Sequence, residues 1–123
     1  MLNVSLPGRV FLCMLPTDMR KSFDSLVGVV EQQLGQDPLS GDLFVFRSKR
    51  GDRLKLLYWD DDGLAIWYKR LEEGTFAFPH SDANRVKAGE HGIVIRPAEL
   101  AMLLDGIDIA DTKRRKRYHR PKA

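Results

Sequence analysis

Val10-Phe11-Leu12-Cys13-Met14-Leu15 is apolar at every position. Alternation puts Val10, Leu12 and Met14 on one side of a strand and Phe11, Cys13 and Leu15 on the other. A strand over 9–15 therefore needs cover on both faces and belongs inside a sheet. Pro16 ends it. Apolar residues then recur at Phe23, Leu26, Val27, Val30 and Leu34. These steps of three, four and seven predict a helix over 19–34, with Thr17 or Asp18 as its cap and Gly35 as its stop.

Asp37-Pro38-Leu39-Ser40-Gly41 is turn chemistry, and Leu43 to Arg47 follows as a strand. Ser48-Lys49-Arg50-Gly51-Asp52 reverses the chain into strands over 53–59 and 64–71, joined by a four-residue loop, Asp60-Asp61-Asp62-Gly63. A further reversal at Glu72-Glu73-Gly74 leads into a fourth strand, 75–78, which completes an antiparallel meander. Residues 79–92 read as an exposed loop and Ile93-Val94-Ile95 as a short strand. Pro97 opens a last helix, 97–105, that Gly106 closes. The pattern predicts a single α+β domain over 1–112: a mostly antiparallel sheet of about five short strands, with one long helix and one short C-terminal helix on one face. A partly closed β-barrel with helices is the alternative.

Charge changes this picture at one end. The net charge is +3, but residues 113–123 hold seven basic residues and no acid. Of the 20 basic residues, 13 then remain against 17 acidic ones, so residues 1–112 carry about −4. The body is mildly acidic. Lys113, Arg114, Arg115, Lys116, Arg117, Arg120 and Lys122 form a basic tail without apolar periodicity, expected to be disordered when free. Such a tail binds nucleic acid without sequence preference by releasing counterions, and Tyr118 could stack on an unpaired base. A merely solubilising tail is the bland reading. The six-residue apolar run is far shorter than the roughly 20 residues of a membrane span. Flanked by Arg9 and Pro16, with no small-residue cleavage pattern, it also does not resemble a secretory leader. With a lone cysteine, Cys13, these features fit a cytoplasmic setting.

Catalytic and metal chemistry finds little support. Three consecutive aspartates in a hairpin loop point in different directions, whereas two-metal phosphoryl transfer needs carboxylates converging on ions about 4 Å apart. His80, His91, His119 and Cys13 lack zinc-ligand spacing. No nucleophile elbow or glycine-rich phosphate loop is present. The sequence therefore predicts no cofactor and no enzyme activity.

The meander is more informative. A loop at 60–63 sets Trp59 opposite Leu64, Leu57 opposite Ile66, Lys55 opposite Tyr68 and Arg53 opposite Arg70, all on one face. Its open end gathers Arg53, Lys55, Tyr68 and Arg70, and Arg47, Lys49 and Arg50 arrive from the adjoining strand and turn. Arg53 facing Arg70 is unfavourable without an anion nearby. Three readings fit: a face neutralised by its own acids, a phosphate track, or a dock for an acidic protein surface. Arg20 and Lys21, two cations in a first helical turn, add either to that surface or to local pairing with Asp18 or Asp24. On the other face Trp67 joins Leu54, Leu56, Tyr58 and Ala65, where it is expected to pack against helix 19–34.

Several ordered strings carry a resemblance. Thr17-Asp18-Met19-Arg20-Lys21-Ser22-Phe23-Asp24 and Asp37-Pro38-Leu39-Ser40-Gly41 come first, then Leu43-Phe44-Val45-Phe46, Arg50-Gly51-Asp52, Lys55, Trp59-Asp60 and Gly63. Lys69-Arg70-Leu71-Glu72, Gly74 and the run Pro97 to Asp108 complete the set. In this order they resemble the accessory proteins, often called TnpB, encoded by the second reading frame of bacterial insertion sequences of family sixty-six; the RNA-guided nucleases sharing that name are unrelated. The resemblance spans about residues 9–109 and implies a non-catalytic helper of transposition that accompanies a separate transposase. The loop 79–92 and the tail lie outside these strings. On this reading the domain is an adaptor to the transposase, and the tail holds DNA non-specifically during recombination. A sequence-specific DNA-binding regulator of the element is the alternative, although no helix-turn-helix pair is visible.

Overall fold

The computed structural model describes residues 8–106. Strands β1 (Val10–Cys13), β2 (Leu43–Arg47), β3 (Arg53–Asp60), β4 (Gly63–Arg70), β5 (Lys87–Ala88) and β6 (Gly92–Ile95) form one open, mixed sheet in the order β4-β3-β2-β1-β6-β5. Helices α1 (Phe23–Gln33) and α2 (Pro97–Asp105) complete the α+β architecture. The linear strand order excludes the barrel alternative for these residues.

β1 is interior, as its two-sided apolar pattern requires, and its four residues are all buried. It pairs antiparallel with β6 but parallel with β2, with Val10 opposite Leu43 and Leu12 opposite Val45. The parallel pair makes β1-α1-β2 a crossover unit, so the sheet is mixed and has six strands where about five, mostly antiparallel, were expected. The β3–β4 register is the expected one throughout, from Arg53 opposite Arg70 to Trp59 opposite Leu64. It runs one pair further, to Asp60 opposite Gly63, which shortens the loop to Asp61 and Asp62; Asp61 takes φ +57. Residues 75–78 add no strand. Phe76 donates one backbone bond to the Gly51 carbonyl and turns its ring into the core. In their place β5 forms inside the loop 79–92 and pairs with β6.

The helices cover opposite faces, correcting the one-sided arrangement. Leu26, Val30 and Leu34 of the α1 segment pack on Phe11, Cys13, Phe44, Phe46 and Leu57. Leu100 and Leu103 of α2 pack on Val10, Leu12, Leu43, Val45, Leu54, Leu56, Ile93 and Ile95. Alternation along each strand sorts its residues between these two clusters. Trp67 falls with the α2 cluster, beside Tyr58, Phe76 and Phe78, and not against α1. Cys13 is buried, and desolvation pushes its thiol up, so it is a small core residue.

α1 begins at Phe23, four residues later than the apolar spacing suggests. The carbonyls of Met19 and Lys21 accept hydrogen bonds from Lys55 Nζ, at 2.9 and 2.7 Å, in place of helical N–H donors. Residues 17–21 are therefore a turn pinned to β3. Ser22 precedes the helix, its N–H meeting Ser25 Oγ at 3.4 Å. The far end stops at Gly35, at φ +61. α2 has the expected bounds, from Pro97 to a Gly106 cap at φ +82 that donates to the Leu103 carbonyl.

Candidate functional site

Two backbone turns meet at one end of the sheet. The turn 48–52 between β2 and β3 is built on Ser48: its Oγ accepts from the Arg53 N–H at 3.0 Å and bonds Asp52 Oδ1 at 3.2 Å. Gly51, at φ +78, lets that turn close with its N–H on the Ser48 carbonyl. The turn 17–21 and the segment that leads into it from β1 are held opposite it by four hydrogen bonds. Thr17 N–H donates to the Arg47 carbonyl at 2.8 Å, Arg47 Nη2 donates to the Met14 carbonyl at 2.6 Å, and Lys55 supplies the two bonds already described. Between the turns lies an open cleft of about 260 Å³ lined by Thr17, Asp18, Met19, Ser48, Lys49, Arg50, Asp52 and Arg53.

The basic residues singled out from sequence divide into two groups here. Lys55 and Arg47 are consumed by the fold. Lys55 is 8% exposed, and its ammonium lies 4.7 Å from the Tyr68 ring centroid as well as on two carbonyls. Arg47 lies over the Phe78 ring at 5.4 Å, and its buried Nε has no hydrogen-bond partner among the described residues. Lys55 is thus buried as a fastener of the turn 17–21, and Arg47, half-buried, bonds the Met14 carbonyl.

Arg20 and Arg70 are exposed but already paired. Arg20 Nη2 meets Asp18 Oδ2 at 2.7 Å, and the guanidinium and backbone N–H of Arg20 hold the Asp18 carboxyl down to about 2. Arg70 meets Glu72 at 2.9 Å, so the like-charge facing of Arg53 and Arg70 is relieved from within the chain. Arg53 has only a 3.3 Å bond to the Tyr68 hydroxyl. Among the described residues, Lys21, Lys49, Arg50 and Arg53 form no ion pair. Lys49, Arg50 and Arg53 face the cleft together with Asp18 and Asp52, whose carboxylates are held by Arg20 and by Ser48. Such a cleft can receive a carboxylate or phosphate on an exposed partner. It holds no histidine beside the Thr17 and Ser48 hydroxyls to activate them.

The other candidates stand apart from this cleft. Asp60, Asp61 and Asp62 lie exposed at the opposite end of the β3–β4 hairpin. The basic tail, Lys113 to Lys122, lies outside the described residues. Sequence reasoning missed Thr17, Asp18, Ser48 and Asp52 as cleft-forming residues; the two turn signatures, Pro16-Thr17-Asp18 and Ser48 to Asp52, were the only hint of them. It also missed a buried ionic cluster on loop 79–92. Arg85 forks onto Glu99, with Nη2 to Oε2 at 2.5 Å and Nη1 to Oε1 at 3.1 Å, and the Arg96 N–H donates to the same carboxylate at 2.9 Å. Arg85 and then Arg96 hold the Glu99 carboxyl down to about 2 against the upward push of burial. That cluster ties the loop to the start of α2.

Comparison with known proteins places the chain in a family. Two proteins of Sinorhizobium fredii, the uncharacterized proteins y4jC and y4hO, are similar along most of their length. The first is 39% identical over 107 residues, covering 87% of this chain and 86% of that protein. The second is 40% identical over 100 residues, covering 81% of each. No solved structure matches the chain. The family model described as IS66 Orf2 like protein matches residues 8–114, from the first described residue into the basic tail, so the chain belongs to the IS66 Orf2-like family of transposition-associated accessory proteins.

Proposed function

We propose that this protein is a non-catalytic adaptor in transposition of its insertion sequence, docking on the transposase encoded by the same element while its basic tail holds DNA non-specifically. The observation that carries the docking half is the cleft between the turns 17–21 and 48–52. There Lys49, Arg50 and Arg53 form no ion pair among the described residues, nor does Lys21 on the facing turn, while Arg20 and Arg70 are paired and Arg47 and Lys55 bond backbone carbonyls. An acidic surface segment on the transposase is the complement of that cleft. The tail reading rests on charge: seven basic residues in 113–123 against a body of about −4. A cytoplasmic setting accords with this role; among the described residues no helix is long and apolar enough to cross a membrane.

The sequence-specific regulator is the weaker reading. α1, Phe-Asp-Ser-Leu-Val-Gly-Val-Val-Glu-Gln-Gln, and α2, Pro-Ala-Glu-Leu-Ala-Met-Leu-Leu-Asp, contain no lysine or arginine. A helix entering the major groove usually brings cations to the flanking phosphates.

Co-purification with the transposase tests the adaptor. Lys49→Ala/Arg50→Ala/Arg53→Ala is expected to abolish capture while leaving DNA binding by the full chain nearly unchanged. Deleting 113–123 is expected to do the reverse. It should flatten the salt dependence of duplex binding by several log–log units, at about 0.9 for each phosphate no longer neutralised. Undiminished DNA binding by the truncated chain, or strong preference for element ends over scrambled duplex, would overturn this division of labour.

A further inference from the structure

The two edges of the sheet are unequal. β5 is a two-residue edge that begins with Lys87 and is followed by Gly89, short and charged in the way natural sheets blunt their edges. β4 is an eight-residue edge, and among the described residues β3 is its only strand partner. It has no proline, and its pairing with β3 runs without a bulge from Arg53–Arg70 to Asp60–Gly63. Its middle, Leu64-Ala65-Ile66-Trp67, is uncharged and half-buried. Such an edge offers a free row of backbone donors and acceptors.

Which groups point outward follows from the register. Leu71 N–H donates to the Asp52 carbonyl at 2.8 Å, one step beyond the Arg53–Arg70 pair. Antiparallel pairs alternate between bonded and non-bonded, so Lys69, Trp67 and Ala65 bond inward to β3. Leu64, Ile66 and Tyr68 therefore turn their N–H and C=O groups to the free edge.

Charge along this strand is polar in the sense of direction. Asp60, Asp61 and Asp62 stand at its start, and Lys69 and Arg70 at its end. A strand laid antiparallel with the same charge order sets acid against base at both ends, whereas a parallel one sets like against like. A second copy of this chain is the partner that carries that order. We propose that β4 pairs antiparallel with β4 of a second copy about a two-fold axis at Ile66, continuing the sheet through both molecules. In that register Leu64 faces the partner's Tyr68 and Ala65 faces the partner's Trp67, and Asp62, in the turn just before β4, comes beside the partner's Arg70. Every outward N–H and C=O of Leu64, Ile66 and Tyr68 is then used, and the interface is isologous, as two-fold dimers require. The cleft between turns 17–21 and 48–52 lies at the basic end of the hairpin, so a dimer presents it twice.

Sedimentation of the full chain over a micromolar to hundred-micromolar series tests this. The wild type is expected to run as a dimer of the 14.1 kDa chain. Asp62→Lys and Arg70→Glu each place like charges at both ends of the seam and should weaken dimerisation about tenfold or more, since each change reverses two pairs at once. The double variant Asp62→Lys/Arg70→Glu restores opposite charges and should recover the dimer. Both positions are exposed, and because Arg70→Glu also gives up the Arg70–Glu72 pair, a thermal melt of each variant separates any loss of monomer stability from loss of the seam. Hydrogen exchange should show the amides of Leu64, Ile66 and Tyr68 gaining protection as concentration rises. A wild type that is monomeric throughout, or a dimer indifferent to both single reversals, overturns the proposal. So does a monomer that dimerises only after residues 107–123 are removed, which would assign the edge to the chain's own C-terminal segment.

Discussion

Lys55→Met separates structure from surface charge in the basic cluster. Methionine keeps the unbranched stem and its packing but deletes the ammonium, and with it the bonds to the Met19 and Lys21 carbonyls and the interaction with the Tyr68 ring. Hydrogen bonds to a charged group contribute about 1.5–3 kcal/mol each, and a cation–π interaction adds about 0.5–2 kcal/mol. Two offsets reduce the sum. The freed carbonyls lie in a turn that water can reach, and the variant no longer desolvates a cation that is 8% exposed in the fold. The net loss should be about 2–3 kcal/mol, or roughly 8–15 °C in Tm for a domain near 100 residues. Lys49→Met and Arg50→Met, at exposed positions of the adjoining turn, should stay within about 0.5 kcal/mol of the wild type. Thermal and urea melts of the three variants measure this. If Lys55→Met melts with the wild type, the turn 17–21 is not fastened to β3 as described, and Lys55 returns to the set of free surface cations.

Three further outcomes follow from local geometry. The Glu99 carboxyl is held at about 2 against an ordinary 4.5, so its contribution of about 3 kcal/mol is complete above pH 4.5 and is lost as pH falls towards 2. Urea melts at pH 7 and pH 3 should show about 2 kcal/mol of that loss in the wild type and a much smaller one in Glu99→Gln, already weakened at pH 7; equal losses would refute the assignment. Gly89 sits at φ +64, where an added Cβ would collide with the Gln33 carbonyl and the Leu34 backbone, so Gly89→Ala should destabilise by about 2 kcal/mol or more, read by Tm. Purified protein should not cleave element-end DNA with Mg²⁺ or Mn²⁺; cleavage that disappears in Asp60→Ala/Asp61→Ala/Asp62→Ala but not in a surface control would restore an enzyme reading.

Local pattern determined much of this molecule. Unbroken apolarity at 10–13 placed β1 inside the sheet, and period-two alternation about the acidic loop set the β3–β4 register from Arg53–Arg70 to Trp59–Leu64, all but the last pair, Asp60–Gly63. Proline at position 97 and glycine at 106 set both ends of α2. Each of these rests on neighbours in sequence, where backbone geometry leaves few choices. Alternation says which residues share a face, but not which helix covers it, and so Trp67 packs with the α2 cluster where the pattern alone points to α1. The parallel pairing of β1 with β2 arose likewise from how α1 crosses the sheet, a relation between elements that no single segment encodes. The start of α1 and the fates of Lys55 and Arg47 depended on carbonyls 33 to 36 residues away in sequence. A lysine on a strand reads as surface charge until the fold brings it two carbonyls and an aromatic ring, because only the closed structure decides whether a cation meets water or backbone.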